Sequence, residues 1–149
     1  MNKFEKIIGS SFLFGFIPFA PGTFGSIPAI LFLFIPGFNN IIFLIPLILL
    51  TFIYGIFLAD KFESQFGKDP KQCTIDEMLG TWISFIFIPF SLINYIITFI
   101  LWRFFDIIKP YPIKQIEKIK GGLGIMLDDV LAGIYTLIIS HIIIYFINQ

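Results

Sequence analysis

The sequence predicts an all-α integral membrane protein. Its expected form is a small bundle of about three full spanning helices, with a re-entrant or tilted helical hairpin over residues 80–102 and an interfacial N-terminal segment. Three observations predict this. The 149 residues are 57% hydrophobic and 13% charged, against roughly 25% charged for an average soluble domain. Uncharged stretches run from Ile7 to Ala59, from Met78 to Trp102 and from Val130 onward, and a spanning helix needs about 20 apolar residues to cross about 30 Å of hydrocarbon. Nearly all the charges fall in three islands, at 3–6, 60–77 and 103–129. The length suits one membrane-embedded domain, 1–149.

The elements follow in order. Lys3 and Lys6 precede an apolar run in the manner of a signal peptide, but the chain lacks an A-x-A site and continues into Pro21-Gly22-Thr23; the segment reads as retained. Residues 9–20, GSSFLFGFIPFA, suit the membrane interface. The stretch APGTFGS, Ala20 to Ser26, carries a Pro, two Gly and two hydroxyl residues, which predicts a loop with exposed backbone N–H groups. A first helix starts near Ile27, with Pro28 in its first turn, and stops at Pro36-Gly37. A second covers 41–59. The polar island 60–77 turns at Gly67-Lys68-Asp69-Pro70. The stretch 80–102 is interrupted by Pro89, and the last helix begins near Asp128.

Charge placement sets the expected topology. Basic residues mark the cytoplasmic side, yet both large islands and the N-terminus carry lysine or arginine. A single crossing by 80–102 would separate the islands, so this stretch is expected to dip in and return near Pro89-Phe90-Ser91. All three islands then meet on the cytoplasmic side.

Zero net charge gives no argument for nucleic acid, and none is expected as a partner. The expected partners are the bilayer and a phospholipid; oligomeric state is left open. A lone cysteine, Cys73, excludes a disulfide framework within the chain.

Five of ten acidic residues, Asp76, Glu77, Asp106, Asp128 and Asp129, stand at the ends of apolar segments. Singly, each has a structural reading. Asp128-Asp129 and Asp76-Glu77 can cap helix N-termini, and Asp106 can pair with Arg103 or Lys109. Together they point elsewhere. Ionisable groups at such depths are functional candidates, and clustered carboxylates repel unless a cation neutralises them. Hard oxygen ligands suit Mg²⁺. Lys109, Lys120, Gly121, Gly122, Gly124 and APGTFGS can receive a phosphate through ammonium and N–H groups. Carboxylate-held Mg²⁺ beside phosphate-binding groups describes phosphoryl chemistry, and the membrane makes the phosphate a lipid headgroup.

Other routes to that chemistry fail on spacing. C-x5-R is absent, since Leu79 stands six residues after Cys73. Neither D-x-D-x-T nor D-G-x2-A-R occurs, and His141 is alone in an apolar helix.

APGTFGS, DPKQCTIDEMLGTW, RFFDIIKPYPI and KGGLGIMLDDVLAG, in this order and spacing, resemble the phosphatidylglycerophosphatase A family over nearly the whole chain. The resemblance implies a Mg²⁺-dependent phosphatase of the bacterial inner membrane, its active site facing the cytoplasm. It implies conversion of phosphatidylglycerophosphate to phosphatidylglycerol and phosphate. Asp76, Asp106, Asp128 and Asp129 are then the expected metal ligands and catalytic groups, with Glu77 a ligand or the base that activates water. An aspartyl-phosphate intermediate stays open. Lys109 is the expected phosphate contact, Thr23 and Gly25 approach the headgroup, and Lys120, Gly121 and Gly122 border the aspartate pair. Asp69 is expected behind the ligands, with Lys68 a weaker phosphate contact. Lys114, Lys118 and Lys120 form an interfacial stripe attracted to anionic lipid. Two rivals remain: the same site on another lipid phosphate such as phosphatidic acid, and a non-enzymatic membrane subunit that binds Mg²⁺.

Overall fold

A computed structural model describes residues 1–147 and 149. Its helices are α1 (Lys3–Gly9), α2 (Pro21–Leu33), α3 (Ile41–Phe66), α4 (Ile75–Ser84), α5 (Leu92–Ile108), α6 (Ile113–Ile116) and α7 (Gly122–Ile147), with a 3₁₀ turn at Phe14–Phe16. The described residues contain no strand. The all-helical expectation holds.

Two helices, α3 and α7, are long and apolar enough to cross a membrane, and only 22% and 28% of their most apolar windows are buried within the protein. A core helix of a soluble domain would be mostly buried. Here Ile42, Phe43, Leu50, Ile53 and Phe57 of α3 and Ile138, Tyr145 and Phe146 of α7 are exposed instead. At 1.5 Å per residue, α2 reaches about 20 Å, α4 about 15 Å and α5 about 26 Å, all short of a 30 Å hydrocarbon core. Residues 85–91 join α4 to α5, with Phe87 at φ 58°.

Two expected boundaries are corrected. APGTFGS is not a loop: α2 begins at Pro21, after Ala20 in the left-handed region at φ 44°. Pro21 suits a first helical position because its ring presets φ and it has no N–H to leave unpaired. Pro28 therefore lies inside α2 rather than in its first turn.

The last helix begins at Gly122, not near Asp128. Gly121, at φ 80°, makes the bend, and Asp60 of α3 accepts the Gly122 N–H at 2.6 Å. A Cβ on Gly122 would stand 2.1 Å from the Ile56 carbonyl, and one on Gly124 2.0 Å from that of Ile119. The glycines are thus the close-approach face of a helix, and the aspartate pair lies in its second turn.

α7 is the central post, packed against α3, α4, α5 and α6. Leu58, Phe62, Leu79 and Met126 fill the main core, and Trp102, Ile113 and Ala132 form a second cluster between α5, α6 and α7. α4 and α5 cross closely at Gly80, where a Cβ would stand 2.0 Å from the Trp102 ring.

Candidate active site

The start of α4 is clamped from the N-terminal side. The Thr74 N–H donates to the Gly9 carbonyl at 2.9 Å, and the Ser11 hydroxyl donates to the Thr74 carbonyl at 2.7 Å. Gly15 and Gly25 let their segments close on this point, since a Cβ would stand 2.4 Å from the Gln72 carbonyl and 2.5 Å from Thr74 Cβ respectively. The interfacial segment and α2 thereby fix the first turn of α4, which carries Asp76 and Glu77.

Three other helix ends meet that turn. The C-terminal end of α5 supplies Arg103 and Asp106, and its cap Lys109 adopts the left-handed conformation at φ 47°. The second turn of α7 brings Asp128 and Asp129. The N-terminus of α2 brings Pro21 and Gly22. Between them lies a cavity of about 220 Å³ lined by Asp76, Glu77, Asp106, Asp128 and Asp129, together with Lys71 and Lys109.

Within it, carboxylate oxygens of Glu77, Asp106 and Asp129 lie within 4.8 Å of one another. Arg103 Nη1 pairs with Glu77 and, at 2.9 Å, with Asp106. Lys109 Nζ pairs with Asp128 at 2.6 Å and with Glu117 at 3.0 Å. Asp76 accepts the Glu77 N–H at 3.0 Å and has no cationic partner among the described residues. Asp129 Oδ2 is buried with no hydrogen-bond partner. Six carboxylates, Asp69 included, thus gather around three cations, Lys71 and the paired Arg103 and Lys109. An uncompensated buried carboxylate is costly, and the excess of hard oxygen donors fits a divalent cation such as Mg²⁺. Glu77, Asp106 and Asp129 could hold it.

Electrostatics mark the same place. Burial, then the neighbouring Asp106, pushes the Glu77 carboxyl up to about 8 against the pull of Arg103. Burial and Glu77 raise Asp76 well above the usual carboxylate range. Burial opposes the charge on Lys109, but Asp128 outweighs it and holds the ammonium above the ordinary lysine range.

The structure therefore brings together Asp76, Glu77, Asp106, Lys109, Asp128 and Asp129. Asp69 also lines the cavity. Gly25 is packed on Thr74, and Thr23 lies in the first turn of α2. Gly121 and Gly122 sit against Asp60 and Ile56 and Lys120 is exposed; none of the three lines the cavity. His141 bonds the Leu137 carbonyl at 2.8 Å, farther along α7. Sequence reasoning missed Arg103 as a site residue, treating it only as the i−3 partner of Asp106; its being the chain's single arginine was the available signal. It also missed Gly22, where a Cβ would stand 1.9 Å from Glu77 Oε1.

No solved structure matches the chain. A family model described as phosphatidylglycerophosphatase A matches residues 7–144. A Bacteroides thetaiotaomicron protein named "Putative phosphatidylinositol-3-phosphatase" is 40% identical, covering 89% of each chain. A Haemophilus influenzae phosphatidylglycerophosphatase A is 38% identical over 88% of this chain and 83% of its own. An Escherichia coli phosphatidylglycerophosphatase A is 31% identical over 100% of this chain and 86% of its own. The carboxylate cavity lies inside the matched span, and the chain belongs to the phosphatidylglycerophosphatase A family.

Proposed function

We propose that this phosphatase hydrolyses phosphatidylglycerophosphate to phosphatidylglycerol and inorganic phosphate in a Mg²⁺-dependent reaction at the cytoplasmic face of a bacterial inner membrane. The observation that carries the reading is the trio Glu77, Asp106 and Asp129, with oxygens within 4.8 Å of one another and one of them, Asp129 Oδ2, buried and unpartnered. These three are the proposed ligands. A bound Mg²⁺ would supply Lewis-acid polarisation of the phosphoryl group and a more acidic water.

The chain's own residues do the rest. Asp76 lines the cavity without a cation and is placed to take the proton of the attacking water. Oxygen–phosphorus bond formation on one side accompanies cleavage of the phosphorus–oxygen bond to the glycerol carbon's oxygen on the other; that oxygen leaves as an alcohol by taking a proton from solvent water, and Asp76 returns its own proton to solvent. Lys109 stabilises charge on the phosphoryl oxygens, exchanging its contact with Asp128 for one with substrate. The first-turn N–H groups of Gly22 and Thr23, which have no intrahelical acceptors, add the positive end of α2.

In the bilayer, α3 and α7 cross, while α2 and the α4–α5 pair enter without spanning on their own. The irregular segment 85–91 is anchored in the protein by buried Phe85 and Ile88, while Phe87 and Phe90 are exposed. The carboxylate ends of α4, α5 and α7 then share the face that carries the charged islands.

The test is phosphate release from phosphatidylglycerophosphate in detergent, with Mg²⁺ and with EDTA. Mg²⁺-dependent turnover supports the reading; no turnover by folded protein defeats it. A second substrate, phosphatidylinositol 3-phosphate, belongs in the same assay because of the name carried by the Bacteroides relative.

A further inference from the structure

Beside the carboxylate cavity lies a second one of about 200 Å³, lined by Lys68, Asp69, Lys114, Glu117 and Lys118. The two adjoin through named groups. Asp69 lines both, and Glu117 on the wall of the second is bonded to Lys109, which lines the first. Among the described residues, none of Lys68, Lys114 and Lys118 has an ion-pair partner; the five ion pairs use Lys61, Arg103 and Lys109 alone.

Three lysines without an ion-pair partner line one cavity with Asp69 and with Glu117, whose charge Lys109 offsets, so the wall is net positive and suits an anion. The lysines come from two separate segments, the turn after α3 and the α6 region, so their convergence is made by the fold. A stripe along one helix attracted to bulk lipid would not need it.

We infer that this lysine cavity is a second phosphate subsite, holding the phosphodiester of a lipid whose monoester occupies the carboxylate cavity. The inference rests on the lipid-phosphatase reading and sharpens it. A phosphatidyl polyol phosphate carries two phosphates separated by its polyol, one for each cavity. Phosphatidic acid carries only the monoester and leaves the lysines empty. The lysine cavity is thus a specificity determinant against phosphatidic acid, and it accommodates glycerol or inositol headgroups alike.

The test uses the full chain in detergent, comparing wild type, Lys114→Ala/Lys118→Ala and Lys114→Arg/Lys118→Arg. For phosphatidylglycerophosphate, kcat/KM of the alanine variant should fall on the order of 10- to 100-fold, mainly through KM, as expected for loss of two charge-assisted hydrogen bonds. Its phosphatidic acid turnover should change less than about twofold on the same grounds, and the arginine variant should recover most of the loss because it keeps the charges. Equal losses on both lipids, or none on either, would overturn the subsite.

A second arm needs no turnover. Binding of glycerophosphoglycerol, a soluble diester without a monoester, is followed by NMR in the three proteins. Binding by wild type and not by the alanine variant supports the subsite even if neither lipid is cleaved, in which case the phosphatase reading alone has failed. Equal binding by both, or by neither, overturns it. Inorganic phosphate is titrated in parallel: if it, and not the diester, competes for the lysines, the cavity serves released product and the inference falls.

Discussion

Asp129 is buried with one carboxylate oxygen unpartnered, while Asp128 beside it is paired with Lys109. Substituting the two should therefore have different signatures. Asp129→Asn replaces a buried carboxyl that has one unpartnered oxygen and no ion pair among the described residues, so its melting temperature in EDTA should match or exceed wild type while turnover falls at least about 10³-fold, as expected for loss of a proposed metal ligand. Thermal melts and phosphate release check both. A parallel fall in stability and activity would make Asp129 a structural residue. Gly22→Ala tests the neighbouring contact. Its methyl would displace Glu77 Oε1 and disturb the Glu77–Arg103 pair, so activity should drop about tenfold or more with stability changed by about 1 kcal/mol, the ordinary size of a single substitution.

At the scale of elements, the helix ends show what sequence could and could not deliver. The five carboxylates were legible because charge at the ends of apolar segments is rare and has few structural uses. The start of α7 was not. Its glycines carry the composition of a loop, and the cap that nucleates the helix is Asp60, some sixty residues earlier, bonded to the Gly122 N–H. No local pattern could reveal that partner. α2 was misread for a related reason: its opening residues are poor helix formers by propensity, and its fixing contacts, Glu77 against Gly22 and Thr74 against Gly25, are tertiary. Asp60→Ala should cost about 1 kcal/mol, the usual loss for an N-cap, seen as a lower melting temperature with the fold retained. Gly122→Val should cost more, since the colliding atom is the Ile56 carbonyl and backbone cannot swing aside; overpacking of this kind costs about 1–3 kcal/mol.

For the whole molecule, the site assembles from the interfacial segment, α2, α4, α5 and α7. Arg103 and Lys109 hold most of it without added metal, so chelation should remove activity reversibly while leaving helix content unchanged by circular dichroism. The pH dependence of stability follows from Glu77. Its carboxyl rises from an ordinary 4.5 to about 8 on folding, so the folded state holds a proton that the unfolded chain releases. That contribution is fully present below 4.5 and is lost as pH rises towards 8. Melting temperature in EDTA should fall over this window, and the gain on adding Mg²⁺ should grow over it. A Mg²⁺ effect independent of pH would remove Glu77 from the ligand set.

The chain's two tryptophans, Trp82 and Trp102, are both buried, and both donate to the same helix: Trp82 to the Ala29 carbonyl at 3.1 Å and Trp102 to the Ser26 hydroxyl at 3.3 Å. All the indole fluorescence of the protein therefore reports on the seating of α2, the helix whose N-terminus lines the carboxylate cavity. Excitation near the red edge of protein absorbance gives an optical signal, with no label attached, for any movement of that helix when a phosphate arrives.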